Sequence, residues 1–247
     1  MKKLLKILLV LVLIGGLYVA NGLFGNPLSK QFAKFAINKY IEVSYPARDF
    51  EKGEIFYNFK TASYTMDIQD RTSQDTSFEI GADSFGQIKY DTYSDILFNT
   101  WLRFSDALRI YGRDLAQENS KAYEISLSID DSKGMEVLSL DQEVDLENFP
   151  FQVSALAQGF ADQADFSKAM EILRDLDRLM GQTSLDIRDY SIILIPESDR
   201  ADQGQAQSWT KALSIYNIPV ASLRSASIED LEELYKIQSQ PIEDKDY

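Results

Sequence analysis

The chain has 247 residues, 45% hydrophobic and 26% charged, enough for one large or two small cores and unlike a disordered chain or a polytopic membrane protein. It contains no Cys and no His, which excludes disulfides, thiolate nucleophiles, Cys/His zinc centres and Ser-His-Asp triads. The 25 Lys+Arg stand against 39 Asp+Glu, a formal charge of −14, and phosphate backbones repel so acidic a chain, which excludes nucleic acid as a partner.

Residues 1–25 read as a signal-anchor. Lys2, Lys3 and Lys6 precede an uncharged, almost wholly apolar run, Ile7 to Phe24, so contact with a lipid bilayer is expected through residues 4–24. At ~1.5 Å per residue the run spans about 27 Å as a helix, close to the ~30 Å hydrocarbon core. Cleavage after Ala20 would put Tyr18 where a small residue is wanted, so retention as a single-pass anchor is favoured over a cleaved signal. Lipoprotein attachment needs a Cys that the chain lacks. The positive-inside rule keeps the lysines cytoplasmic and sends the bulk outside the cell membrane. Residues 1–24 hold three of the basic and none of the acidic residues, so the exported part carries −17 and is expected to stay soluble beside an anionic surface without lying down on it.

A first domain is expected over residues 26–119, as a helix, a four-stranded antiparallel sheet and a second helix. Asn26-Pro27 starts the first helix, with Pro at the position where a missing N–H costs nothing, and the helix ends before Pro46. Its Lys30, Lys34 and Lys39 face solvent or lipid headgroups. Four segments rich in aromatic and β-branched residues follow, at 54–60, 62–68, 76–82 and 87–93, the last two joined by the turn Asp83-Ser84-Phe85-Gly86. Thr92-x-x-Asp95 approximates a capping box for the next helix, whose Leu97, Trp101, Phe104, Leu108, Tyr111 and Leu115 form one stripe. Between Pro27 and Tyr111 lie 17 of the 29 aromatic residues, which reads as a dense core over the sheet rather than a binding cleft.

Tyr57-Asn58-Phe59-Lys60, Tyr64, Ser77-Phe78, Gly86, Tyr90-Asp91, Tyr93, Asn99-Thr100 and Arg103 occur in an order and spacing that resemble the YfjL-like family of small membrane-anchored proteins of Gram-positive bacteria. The resemblance covers residues 24–115. It implies an exported protein with one apolar amino-terminal segment, a helix-plus-sheet domain and a second α/β domain, and it implies no activity. Read from the residues themselves, Asn99 and Arg103 share a helix face and could meet Tyr57 or Asn58 on the sheet, as a hydrogen-bond network fixing helix to sheet or as a ligand site.

A second domain is expected over residues 121–240, with 241–247 as a tail. YEISLSI at 123–129 alternates as a half-buried strand, turns at 130–134, and returns through MEVLSL at 135–140 as a hairpin. Asp165 caps a helix that ends at Gly181, and Ile192–Ile195 reads as a central strand. A helix at 207–216, a strand at 218–223 and a helix at 227–238 with Ser227-x-x-Asp230 as its cap complete an α/β sandwich with a mixed sheet. The fold class is therefore α+β behind an amino-terminal membrane helix.

No P-loop or dinucleotide fingerprint is present, no cofactor is expected, and no catalytic, cofactor-binding or metal residue stands out. Asp199, Asp202 and Gly204 suggest a calcium loop, but Ala201 and Gln203 occupy ligand positions. Asp141, Glu143, Asp145 and Glu147 alternate at period two, as a solvated edge that discourages strand pairing or as a cation site with water. The sequence therefore points to a non-catalytic binding module at the cell envelope, with an envelope protein as a possible partner. A carboxylate-dependent envelope hydrolase and a calcium-responsive envelope module are the alternatives.

Overall fold

The structure, a computed structural model, describes residues 19–130, 134–201 and 204–240 together with Leu9, Leu11, Val12, Gly15 and Gly16. Residues 19–24 are helical, and among the described residues no helix is long and apolar enough to cross a membrane. The expected membrane helix is thus without support from any described helix, and the rest of residues 1–18 lies outside the described residues, as does the tail 241–247.

The chain divides into two compact units. One holds the residues up to Thr100 together with Ser139–Gln142, and the other holds Trp101–Leu138 and the residues from Glu143 onward. The division falls inside a helix and not at the polar break around Glu118-Asn119-Ser120, because a side chain near residue 141 belongs with the first unit.

In the first unit, helix α1 (Pro27–Ser44) is capped by Asn26, whose side chain accepts from Ser29 N–H, with Pro27 in the first turn as its missing donor allows. Strands β1 (Phe50–Lys52) and β2 (Phe56–Asn58) both pair with one edge of β3 (Ser63–Asp70), followed by β4 (Ser77–Ala82) and β5 (Ile88–Asp91), all antiparallel. The short β1 escapes a sequence reading because three residues show no period. Ala33, Ile37 and Ile41 of α1 pack on Met66, Ile68, Phe78 and Ile80, and Tyr45, Phe50, Phe78 and Tyr93 form an aromatic cluster with centroids 4.7–5.7 Å apart. The hydroxyls of Tyr40 and Tyr45 donate to Asp91 at 3.0 and 2.5 Å, tying α1 to β5, and burial followed by this carboxylate pushes both phenols upward. Gly86 turns the β4–β5 hairpin at φ +83.

The expected box at Thr92 does not form. Residues Tyr93–Asp95 make a single 3-10 turn, and the Thr92 hydroxyl is taken by the backbone of Glu79 across the sheet. Helix α2 (Leu97–Glu118) then runs from the first unit into the second.

In the second unit, sheet order is β6 (Tyr123–Ile129), β7 (Val153–Ala161), β8 (Ile187–Pro196), β9 (Leu213–Pro219), with only β7–β8 parallel. Helices α3 (Phe166–Met180), α4 (Val220–Ser225) and α5 (Ile228–Gln238) pack on this sheet and on one another, giving the mixed α/β layer expected. The α+β class and the mixed sheet hold, but three assignments are corrected.

Residues 135–140 are not the hairpin partner of β6. Met135–Val137 is a 3-10 turn, and β6 pairs along seven residues with β7, whose inward Val153, Ala155 and Ala157 are too small to give the alternation contrast. Residues 207–216 are not a helix, since Leu213 and Ile215 are inward positions of β9, as is Ile218. Residues 218–223 are not a strand, because Pro219 ends β9 and begins α4. The edge of β9 is closed by Gln238 of α5, which donates to Tyr216 O and accepts from Tyr216 N–H. The caps at Asp165 and Ser227 form as expected, the latter a complete capping box with Asp230.

Candidate functional site

In the second unit Lys121 and Ala122 lead into β6, and alternation turns the ring of its first residue, Tyr123, inward toward α3. Helix α3 buries Ala169, Met170, Leu173, Leu176 and Met180, which leaves Asp175 and Arg178, three residues apart, on a neighbouring side of the helix. Asp175 there accepts from Lys121 Nζ at 2.6 Å, from the Tyr123 hydroxyl at 2.7 Å and from Arg178. A groove of about 950 Å³ opens over this cluster, lined also by Ser167, Lys168, Glu171, Arg174 and Phe160. Four cationic side chains against two carboxylates make it positive in a chain whose formal charge is −14.

Burial alone would raise the Asp175 carboxyl, but the hydrogen bonds from Lys121, Tyr123 and Arg178 outweigh it and hold the group down at about 2, while burial and Asp175 push the Tyr123 phenol up. A carboxylate with a lowered folded value stabilises the fold above its unfolded value and loses that contribution as pH falls. From the ordinary 3.8 to about 2 the difference amounts to about 2 kcal/mol, present above pH ~4 and lost toward pH ~2. Urea midpoints measured across that range should fall steeply for the native chain and less for Asp175→Asn; equal slopes would remove Asp175 from the acid response. A second latch lies further along the helix, where the buried Tyr190 of β8 donates to Asp177 at 2.9 Å.

A second concavity of about 860 Å³ shares Lys121, Tyr123 and Phe160 with the first and adds Arg109, Arg113, Arg200 and Trp209. The Arg200 guanidinium lies 4.1 Å from the centre of the Phe160 ring, a cation–π contact, and is also paired with Glu197 at 2.7 Å.

Of the residues picked from the sequence, Asn99 does fix helix to sheet, but it donates to the carbonyls of Asp75 and Ser77 and not to Tyr57 or Asn58. Thr100, fully buried beside it, donates to Asp75 at 2.7 Å. The carboxylates at 141, 143, 145 and 147 do not line a strand. Asp141, at φ +60, accepts from Ser73 Oγ and Asp75 N–H at 2.9 Å, and Asp145 accepts from Glu147 N–H and from Asn148, so the expected strand edge is replaced by a loop capped by its own side chains. Among the described residues no three carboxylates gather to hold a metal ion, at 141–145 or elsewhere. Asp202 and Gln203 lie outside the described residues, and Asp199 accepts from Ser198 Oγ at 3.4 Å through its carboxylate and from Gln207 N–H at 2.7 Å through its carbonyl.

The cluster of Lys121, Tyr123, Asp175 and Arg178 was not picked from the sequence. The only available signal was the three-residue spacing of Asp175 and Arg178, which by itself reads as an exposed ion pair. The carboxyls of Asp70, Asp83, Asp145, Asp175 and Asp230 shift down toward the ionised form.

Residues 1–92 match a family described as YfjL-like, N-terminal domain. Over 68 residues the chain is 38% identical to the uncharacterised protein YfjL of Bacillus subtilis (strain 168), covering 27% of this chain and 30% of that relative. The resemblance carried by Tyr57 to Tyr90 is thereby shown for the amino-terminal part. No solved structure matches.

Proposed function

We propose that this chain, YfjL-like through its amino-terminal domain, is a non-catalytic binding module tethered at the outer face of the cell membrane, whose positive groove takes an anionic envelope ligand or partner. The tether is supported by Lys2, Lys3 and Lys6 ahead of the apolar run from Ile7 to Phe24. The binding role is carried by one observation: the groove's central carboxylate, Asp175, is occupied by three donors, which fixes the wall of the groove and leaves this group no acid or base role, while Lys168, paired with the exposed Glu171, and Arg174, which donates to Ala226 O, add positive charge to its lining.

A photoreactive residue placed at Ser167 of the full chain, in intact cells, should capture a ligand or protein that the same probe at Glu51 does not. Lys168→Glu with Arg174→Glu should abolish that capture, and protease added outside the cells should degrade the bulk of the chain. Capture unchanged by the double reversal would overturn the groove, and a bulk protected from external protease would overturn the location. Hydrolysis of an envelope polymer lost in both Glu171→Gln and Asp175→Asn would replace the binding reading by a carboxylate hydrolase.

A further inference from the structure

Helix α1 carries two apolar faces. Ala33, Ile37 and Ile41 are buried against the sheet, whereas Leu28, Phe32, Phe35 and Val43 recur at helical spacing on another side and stay exposed, Phe35 at 71% and Val43 at 72%. The β4–β5 hairpin adds to this second face. Gly86 approaches the Phe32 carbonyl so closely that a Cβ would lie 3.3 Å from it, which sets Phe85, 92% exposed, beside the helix. Asp83 holds the tip by accepting from Phe85 N–H and Gln87 N–H. Phe32, Phe35, Val43 and Phe85 line a shallow hollow of about 480 Å³ with Lys39 at its rim.

We propose that this face lies in the headgroup–acyl boundary of an anionic lipid bilayer, with Phe32, Phe35 and Phe85 inserted and Lys39, which lies on the same face, reaching the headgroups. Charge selects this occupant. The first acidic residue of the chain is Glu42, and the 41 residues before it hold six lysines, so −14 overall conceals a wholly basic amino-terminal stretch. A second copy stacked on this face would bring the Lys39 of each chain into the contact without an opposite charge on that face to meet it, whereas an anionic leaflet neutralises it without a specific partner. Position agrees. Asn26, which caps α1, is held by the buried Tyr64 hydroxyl, which accepts from its N–H at 2.7 Å and donates to its carbonyl at 3.1 Å, and the Tyr57 hydroxyl donates to Gly22 O, so the end of the apolar run is fixed at the start of this helix. The inference rests on the tether reading for how the helix reaches the bilayer, and it replaces the expectation that the exported part stands clear of the surface.

The absence of Cys allows single labels. The full chain, with an environment-sensitive fluorophore on Phe35→Cys, Phe85→Cys, Leu11→Cys or Tyr216→Cys, is reconstituted into vesicles of phosphatidylglycerol and phosphatidylcholine. Spin-labelled lipid should quench more than half the emission at 11, 35 and 85 and leave 216 unchanged, and vesicles of phosphatidylcholine alone should weaken the quenching at 35 and 85 but not at 11. Quenching at 11 without 35 and 85 overturns the docked face and keeps the tether. Quenching at none of the three overturns both. Labels at 35 and 85 shielded from lipid and from aqueous iodide alike assign the face to a protein, against the proposal.

Discussion

Phe78→Ala should cost about 4 kcal/mol, the range for emptying a buried aromatic site. Phe78 is 4% exposed, and its ring stands 5.1–5.7 Å from those of Tyr45, Phe50 and Tyr93, so truncation leaves a cavity lined by three large rings that cannot all collapse inward. Phe78→Leu, which keeps most of the volume, should cost about 1 kcal/mol. Both tryptophans, Trp101 and Trp209, belong to the second unit, so the loss has to be followed by the near-ultraviolet signal of the tyrosines or by hydrogen exchange in β3 and β4. A cost for alanine no larger than for leucine would show that these rings do not act as one packed cluster.

Gly81→Val should cost about 3 kcal/mol through overpacking and one broken hydrogen bond, and its cause lies on the opposite face of the same strand. Thr65, Gly81 and Tyr90 are successive partners across β3, β4 and β5. The Tyr90 ring lies flat over Gly81, where a Cβ would come within 2.2 Å of it, and its hydroxyl meets Thr65 Oγ1 at 2.7 Å. Any side chain at 81 must lift the ring and break that bond. In a Tyr90→Ser background the same replacement should lose most of its effect. An equal cost in both backgrounds would mean that the ring is not what requires glycine.

These two positions show what could be read without coordinates. Phe78 belongs to a segment of aromatic and β-branched residues bounded by polar turns, and the turn Asp83 to Gly86 fixes its hairpin, so four strands of the first sheet were legible and the fifth, β1, was not. Gly81 carried no such signal, since its reason is a ring brought over it by the neighbouring strand. The caps at Asn26, Asp165 and Ser227 were legible because each is satisfied within three residues of sequence. The failures share the reverse property. MEVLSL looked like a strand locally, but Asp141 is drawn to Ser73 and Asp75, well over sixty residues earlier, and β6 pairs instead with the low-contrast β7. The groove was hidden for the same reason, because Lys121, Tyr123 and Asp175 are joined across more than fifty residues.

That return of residues 139–142 to the first unit sets an order of events during synthesis. A chain emerging amino terminus first has made the helix and all five strands of the first sheet by residue 91, yet the acceptor for Ser73 Oγ and Asp75 N–H arrives only with Asp141. The loop after β3 must therefore wait until the opening part of the other unit has also been made. A chain stopped at Thr100 would leave those donors without their carboxylate. The first unit is thus finished late, and any length variant intended to isolate it has to carry residues 139–142 along.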